Sequence, residues 1–185
     1  MIWENNDDIR LEHCDHSRRE IQHILDTCRE ERRPYVVTTP LTSNLSPLTS
    51  ILVPVTMLEE EVYKAEICTY LARKTGAHLF LLRANDYGSK AIKNTQRIIT
   101  HIQTIAERTG KPITYEERIA KGDSFHIHKE LHNYPADFQL ILLTASREYG
   151  LDDWLFGPPE QYVIRHSKVP VMLINPRADL FSLCD

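Results

Sequence analysis

The chain has 185 residues, 42% of them hydrophobic and 26% charged, with a formal net charge of −4. That balance describes an ordinary globular domain, or one domain with an added piece, and excludes collagen-like and disordered chains. No basic face accumulates, because Glu30 and Glu31 interleave with Arg29, Arg32 and Arg33, so no nucleic-acid partner is expected.

No stretch approaches the ~18 consecutive apolar residues of a membrane span. The acidic start, Met1 to Asp8, lacks the positive and apolar segments of a secretory signal, and a cytoplasmic location is expected. Cys14, Cys28, Cys68 and Cys184 are scattered without a CxxC pair and read as free thiols.

In chain order, residues 9–13 alternate weakly and predict a short strand. Ile21, Ile24, Leu25 and Cys28 place one apolar stripe on a helix over residues 17–32. Ser17 and Glu20 form its capping box and Pro34 follows its end. Tyr35, Val36, Val37 and Thr38 predict a strand. The Thr-, Ser- and Pro-rich residues 38–47 read as a connector.

From residue 51 the pattern becomes regular. A fully apolar strand over 51–55 leads to a helix over 59–75, closed by Gly76. A strand at 79–82, a helix at 89–109 before Gly110, and a strand at 113–119 follow. Then come a helix at 124–132, a strand at 138–143, a helix at 159–166 and a strand at 169–174. The chain divides into an N-terminal extension, residues 1–49, a main domain, 50–177, and a tail, 178–185. Strict alternation of strand and helix predicts an α/β fold with an open five-stranded parallel sheet, Rossmann-like, covered by helices on both faces. Ligands of such sheets bind at the carboxyl ends of the strands, so the loops after 51–55 and 138–143 are where a site is expected.

Residues 50–176 resemble the universal stress protein family. The resemblance rests on Ile51-Leu52-Val53-Pro54-Val55, Ala65, Leu71-Ala72, Gly76-Ala77-His78-Leu79 and Lys121-Gly122-Asp123. It closes on Gly150-Leu151, Gly157, Tyr162-Val163, Arg165-His166-Ser167 and Val169-Pro170-Val171. Nucleotide-binding members place an Asp after the first strand, against adenine. They wrap the phosphates with a loop G-x2-G-x9-G-[S/T] after the fourth. Glycines there let several backbone N–H groups converge on a phosphate.

Carried onto this chain, the site comprises Val53, Pro54 and Val55, with Thr56 in the Asp position. Thr144 and Arg147 replace the first two glycines, Gly157 is kept, and Pro158 replaces the hydroxyl residue. A site so depleted of glycines points to a universal-stress-protein-like regulatory or interaction protein, non-catalytic and without a cofactor, acting on a protein partner. The alternatives are binding of ATP or AMP through a modified loop in which Arg147 meets the phosphates, and a cytosolic regulatory domain associated with a membrane transporter. The resemblance also implies a homodimer through an edge strand formed by Val171, Met172, Leu173 and Ile174.

Other groupings favour plain readings. On a continuous helix, His128 and His132 lie one turn apart and lack a third zinc ligand, so they read as solvent-facing. His13-Cys14-Asp15-His16 reads as a polar lead-in to Ser17, Cys68 as a core residue, Ser124 as a helix cap, and Trp154 and Phe156 as core. No nucleophile has an evident base, and neither a catalytic residue nor a metal is expected. The helix, Pro34 and Tyr35-Val36-Val37 echo the helix near Gln161, Pro170 and Val171-Met172-Leu173. That echo reads either as the remnant of a preceding repeat or as an added helix and strand covering the sheet's edge.

Overall fold

Every residue of the strand Ser50–Val55 is buried, so its backbone groups must find their partners within the protein. The computed structural model describes residues 9–31, 33–42, 47–108, 112–134, 138–146 and 158–175. In chain order the elements are β1 (Arg10–His13), α1 (Arg18–Glu30), β2 (Tyr35–Thr38) and β3 (Ser50–Val55). A 3-10 turn (Glu59–Val62) runs into α2 (Tyr63–Thr75), followed by β4 (His78–Arg83), α3 (Ser89–Arg108) and β5 (Tyr115–Ile119). Two 3-10 turns (Ile127–Lys129 and Leu131–Asn133), β6 (Leu140–Thr144), α4 (Pro159–His166) and β7 (Val171–Ile174) complete the described chain.

The strands form one seven-stranded sheet in the order β1-β2-β7-β6-β3-β4-β5. Alternation along β3 sends Ile51, Val53 and Val55 to the face covered by α2 and α3. Leu52 joins the opposite face, where α1 and α4 pack. The α/β class and the helices on both faces are those expected. The strand count is not. The expected five-stranded sheet becomes seven because β1 and β2 of the N-terminal piece enter the same sheet, and the β2–β7 pair is antiparallel.

That entry repeats the end of the chain about a local two-fold. The parallel pair β1–β2 is joined through α1, as β6–β7 is through α4. Arg10 N–H donates to Pro34 O at 2.9 Å, and Ile141 N–H to Pro170 O at 3.0 Å. At the other end Cys14 N–H donates to Thr38 O at 3.0 Å, and Ala145 N–H to Ile174 O at 2.9 Å. Across the junction Val36 faces Met172, flanked by Tyr35–Leu173 and Val37–Val171, which centres the two-fold on Val36 and Met172. β7, expected as the edge that receives a second copy, is therefore paired on both sides within the chain. The edges of the described sheet are β1 and β5.

Local chemistry differs from expectation in two places. Ser17 caps α1, its Oγ accepting from Glu20 N–H at 3.2 Å, but the Glu20 carboxylate accepts from Asp15 N–H instead of closing the box on Ser17. Ser17 N–H goes to Asp15 Oδ1 at 2.8 Å. The helix expected at 124–132 is replaced by the two 3-10 turns. Its only buried anchors are Ile127 and Leu131, too few to offset the cost of nucleating a helix. The Glu130 carboxylate also turns back to accept from Gly122 N–H at 2.8 Å. A Cβ on Gly122 would meet the His126 and Ile127 backbone at 3.0 Å, so this tight turn disfavours a side chain there. Gly76 ends α2 as expected, with φ 77° and its N–H donating to Ala72 O.

Asn175, after β7, fixes α1 to the sheet. Its Nδ2 donates to Cys28 O, Arg29 O and Glu31 O at 2.8, 2.9 and 2.8 Å. Asn175→Ala strands those carbonyls, and urea denaturation is expected to show a loss of about 2 kcal/mol.

Candidate functional site at the end of β3 and β6

Even-numbered residues of β3 turn their backbone groups toward β6, as when Ser50 O accepts from Gln139 N–H. Pro54 has no N–H to give on that side. The β3–β6 register accordingly runs from Ile51–Leu140 to Leu52–Ile141 and stops short of Pro54. Beyond that point the two strands bound a cavity of about 300 Å³, at the place where sheet order reverses. Pro54, Thr56, Thr144 and Ser146 line it from the strand ends, Glu61 from the 3-10 turn before α2, Lys64 from the start of α2, His128 from the later 3-10 turns, and Glu160 from α4.

The Pro54 carbonyl left without a strand partner accepts from Lys64 Nζ at 2.6 Å. Lys64 also pairs with Glu61 Oε2 at 2.6 Å, both side chains at most 4% exposed. Glu61 Oε2 accepts in turn from Thr56 N–H at 3.3 Å. Met57 N–H donates to Ser124 Oγ at 2.8 Å, and Ser124 Oγ–H donates to Asp86 Oδ2 at 2.7 Å. Ser124 thus ties the ends of β3, β4 and β5 together and does not cap a helix.

Across the cavity, the Glu160 Oε1 accepts from both the N–H and the Oγ–H of Ser146. Burial pushes the Glu160 carboxyl above its ordinary range. The Ser146 bonds and the Arg29 charge offset this only in part. Burial, with Lys129 and His126 adding to it, holds His128 below its ordinary value, which favours the neutral ring. His128 Nδ1, Thr144 Oγ1 and Glu160 Oε2 are buried and have no hydrogen-bond partner among the described residues.

Of the residues expected at the site, Pro54, Thr56 and Thr144 meet at this cavity. Val53 and Val55 point away into the core beneath α2. Pro158 is buried at the start of α4, outside the lining. Arg147 and Gly157 lie outside the described residues, as do Trp154, Phe156, Cys184 and the tail. Sequence reasoning missed Glu61, Lys64, Ser146 and Glu160. Their only signal was position: Ser146 two residues past a strand end, and Glu61, Lys64 and Glu160 in the first turns of helices that follow the expected site loops.

The rings of His128 and His132 both flank Tyr162, at 5.7 and 5.8 Å between centroids, and His166 stacks on Tyr162 at 4.2 Å. No group of three metal donors forms among the described residues, here or at His13 to His16. Cys68 is the core residue expected, and burial drives its thiol and that of Cys28 to about 12, far from thiolate chemistry.

Sheet order and cavity position define a class: the universal stress protein fold. The universal stress protein from Archaeoglobus fulgidus DSM 4304 superposes with a TM-score of 0.68 at 16% identity, over 96% of this chain and 64% of that one. This chain thus spans just under two thirds of that protein's length. Universal stress protein UspA from Lactobacillus plantarum gives 0.55 at 19% identity, over 70% of this chain and 99% of that one. A universal stress protein in complex with cAMP gives 0.56 at 16%, over 71% and 100%. No family model and no curated protein sequence matches.

Two measurements check this geometry. Lys64→Met alone leaves Glu61 buried without its cation and is expected to cost about 3–5 kcal/mol in chemical denaturation. The double variant Glu61→Leu, Lys64→Met is expected to recover most of that loss. Glu160 keeps its proton to a higher pH folded than unfolded, so the native state binds more protons as pH rises from the ordinary Glu range. Its contribution to stability therefore falls as pH climbs through the raised value. Glu160→Gln is expected to flatten that part of the stability–pH curve.

Proposed function

We propose that this chain is a universal-stress-protein-type regulatory protein that works through its surfaces, without catalysis and without tight retention of ATP. The observation that carries this is the internal use of donors at the strand ends. The N–H groups of Thr56, Met57, Ala145 and Ser146 all donate within the chain, to Glu61, Ser124, Ile174 and Glu160. A phosphate needs several such donors converging and free. Here the Glu160 carboxyl already accepts from the Ser146 N–H and leaves no donor there for a phosphate.

The surface supports the interaction half of the reading. Leu58, Tyr87, Ile92 and Phe125 are exposed large apolar residues on the loops and helix start at the carboxyl end of the sheet. Homodimer formation through β7 is disfavoured, since β2 holds that edge in cis. No helix among the described residues is long and apolar enough to cross a membrane.

Titration with ATP and with cAMP tests the reading. No change in melting temperature is expected at about millimolar ligand. A nucleotide held at micromolar affinity would raise it by several degrees and overturn the proposal.

A further inference from the structure

We propose that the cavity between the ends of β3 and β6 binds a small organic cation, a primary amine whose ammonium group is held by Glu160, Thr144 and His128. The inference rests on the reading above that this cavity does not hold polyphosphate.

Three observations converge on it. The first is charge. Glu60, Glu61 and Glu160 line the cavity, and the lining cation, Lys64, is consumed by Glu61 and Pro54 O. The second is hydrogen bonding. Glu160 Oε2, Thr144 Oγ1 and His128 Nδ1 all belong to lining residues, all are buried, and none has a partner among the described residues. Each can accept, the imidazole in its Nε2–H tautomer. A primary ammonium has three donors and no acceptor, which matches three acceptors and no free donor requirement. The third is the wall. Leu58, Ile127, Leu131, Leu143 and Val163 supply an apolar lining for a short alkyl stem. A metal cation fits less well, because no three metal donors converge among the described residues.

Binding is coupled to a proton. Burial keeps the free Glu160 carboxyl protonated above its ordinary range. The ammonium replaces that proton, which leaves for the buffer, and the site then holds a carboxylate against a cation. The groups facing Glu160 are Ser146 just after β6, Arg29 and Cys28 on α1, and His128, Glu61 and Lys64 around the cavity. Of these Arg29 opposes the protonated form, and the remaining charges are internally paired or neutral.

The test uses the full chain with n-butylammonium, 1-butanol and butyrate at matched ionic strength. At about 10 mM, n-butylammonium alone is expected to raise the melting temperature, by about 3 °C or more. Calorimetry in two buffers of different ionisation enthalpy is expected to show proton release with that ligand. Glu160→Gln keeps the acceptor for Ser146 and should abolish both signals. Thr144→Val, a milder change, should weaken affinity about five- to tenfold. Glu66→Gln, on the exposed face of α2, should leave binding unchanged. An equal shift with 1-butanol, full binding by Glu160→Gln, or no shift with n-butylammonium overturns the inference. A shift with ATP in the same assay overturns instead the functional reading on which it rests.

Discussion

Buried strands leave backbone groups at their ends that neither water nor the ladder reaches, and the molecule is organised around satisfying them. At the carboxyl end of β3, Lys64 takes Pro54 O and Glu61 takes Thr56 N–H. At the end of β6, Glu160 takes Ser146 N–H. Beyond β7, Asn175 reaches back to the last carbonyls of α1. At the opposite end of the sheet, Gln139 Oε1 accepts from Ser50 N–H and Oγ–H and from Thr49 Oγ–H. Lys64, Glu61 and Glu160 belong to helical turns, and Asn175 holds the end of α1, so these bonds also fix helices to the sheet.

The same requirement shapes the cavity. Pro54 has no N–H for the β3–β6 ladder, which stops at Leu52–Ile141, and the two strands part. In a fold whose ligands sit at this reversal of strand order, open N–H groups would be the means of holding a phosphate. This chain spends those groups on its own carboxylates. What is left is an acidic, largely apolar hollow with buried polar atoms in its wall, a different chemical environment on an unchanged scaffold. Function on a shared fold is set by such substitutions and not by the fold itself.

The N-terminal β1–α1–β2 unit shows how a small piece of chain changes which strands are edges. By repeating the β6–α4–β7 hydrogen-bond pattern about the Val36–Met172 pair, it covers an edge that would otherwise template another strand. α1 joins α4 on the same face, Gln161 Nε2 donating to Arg18 O at 3.2 Å, and Ile21, Leu25 and Cys28 share one apolar cluster with Val163 and Ile164. Of the two readings of the echo in sequence, the strand pairing is what edge covering requires, and the repeated geometry is what a repeat requires. The two descriptions meet in one structure.

Much of the architecture was legible because periodicity is local. Ile21, Ile24, Leu25 and Cys28 define α1 by spacing alone, Gly76 marks the end of α2, and the apolar run from Ile51 marks a strand covered on both faces. Of the eight residues that the resemblance placed at the site, Pro54, Thr56 and Thr144 line the cavity. Three things were not legible. The 124–132 segment has helical spacing at Ile127 and Leu131, yet Glu130 bonds Gly122 and tightens it into 3-10 turns. β7 looked like an edge, because pairing with residues 35–37 is a contact across most of the chain. Glu61 and Glu160 looked like ordinary acids in the first turn of a helix, where they complement the dipole. The sequence by itself determined most of the strands and helices and the strand ends at which a site is expected, since those follow from side-chain pattern along a few residues. Only the tertiary structure decided which strands are neighbours and which polar side chains answer which backbone groups. Those choices depend on burial, and burial exists only once distant segments have packed.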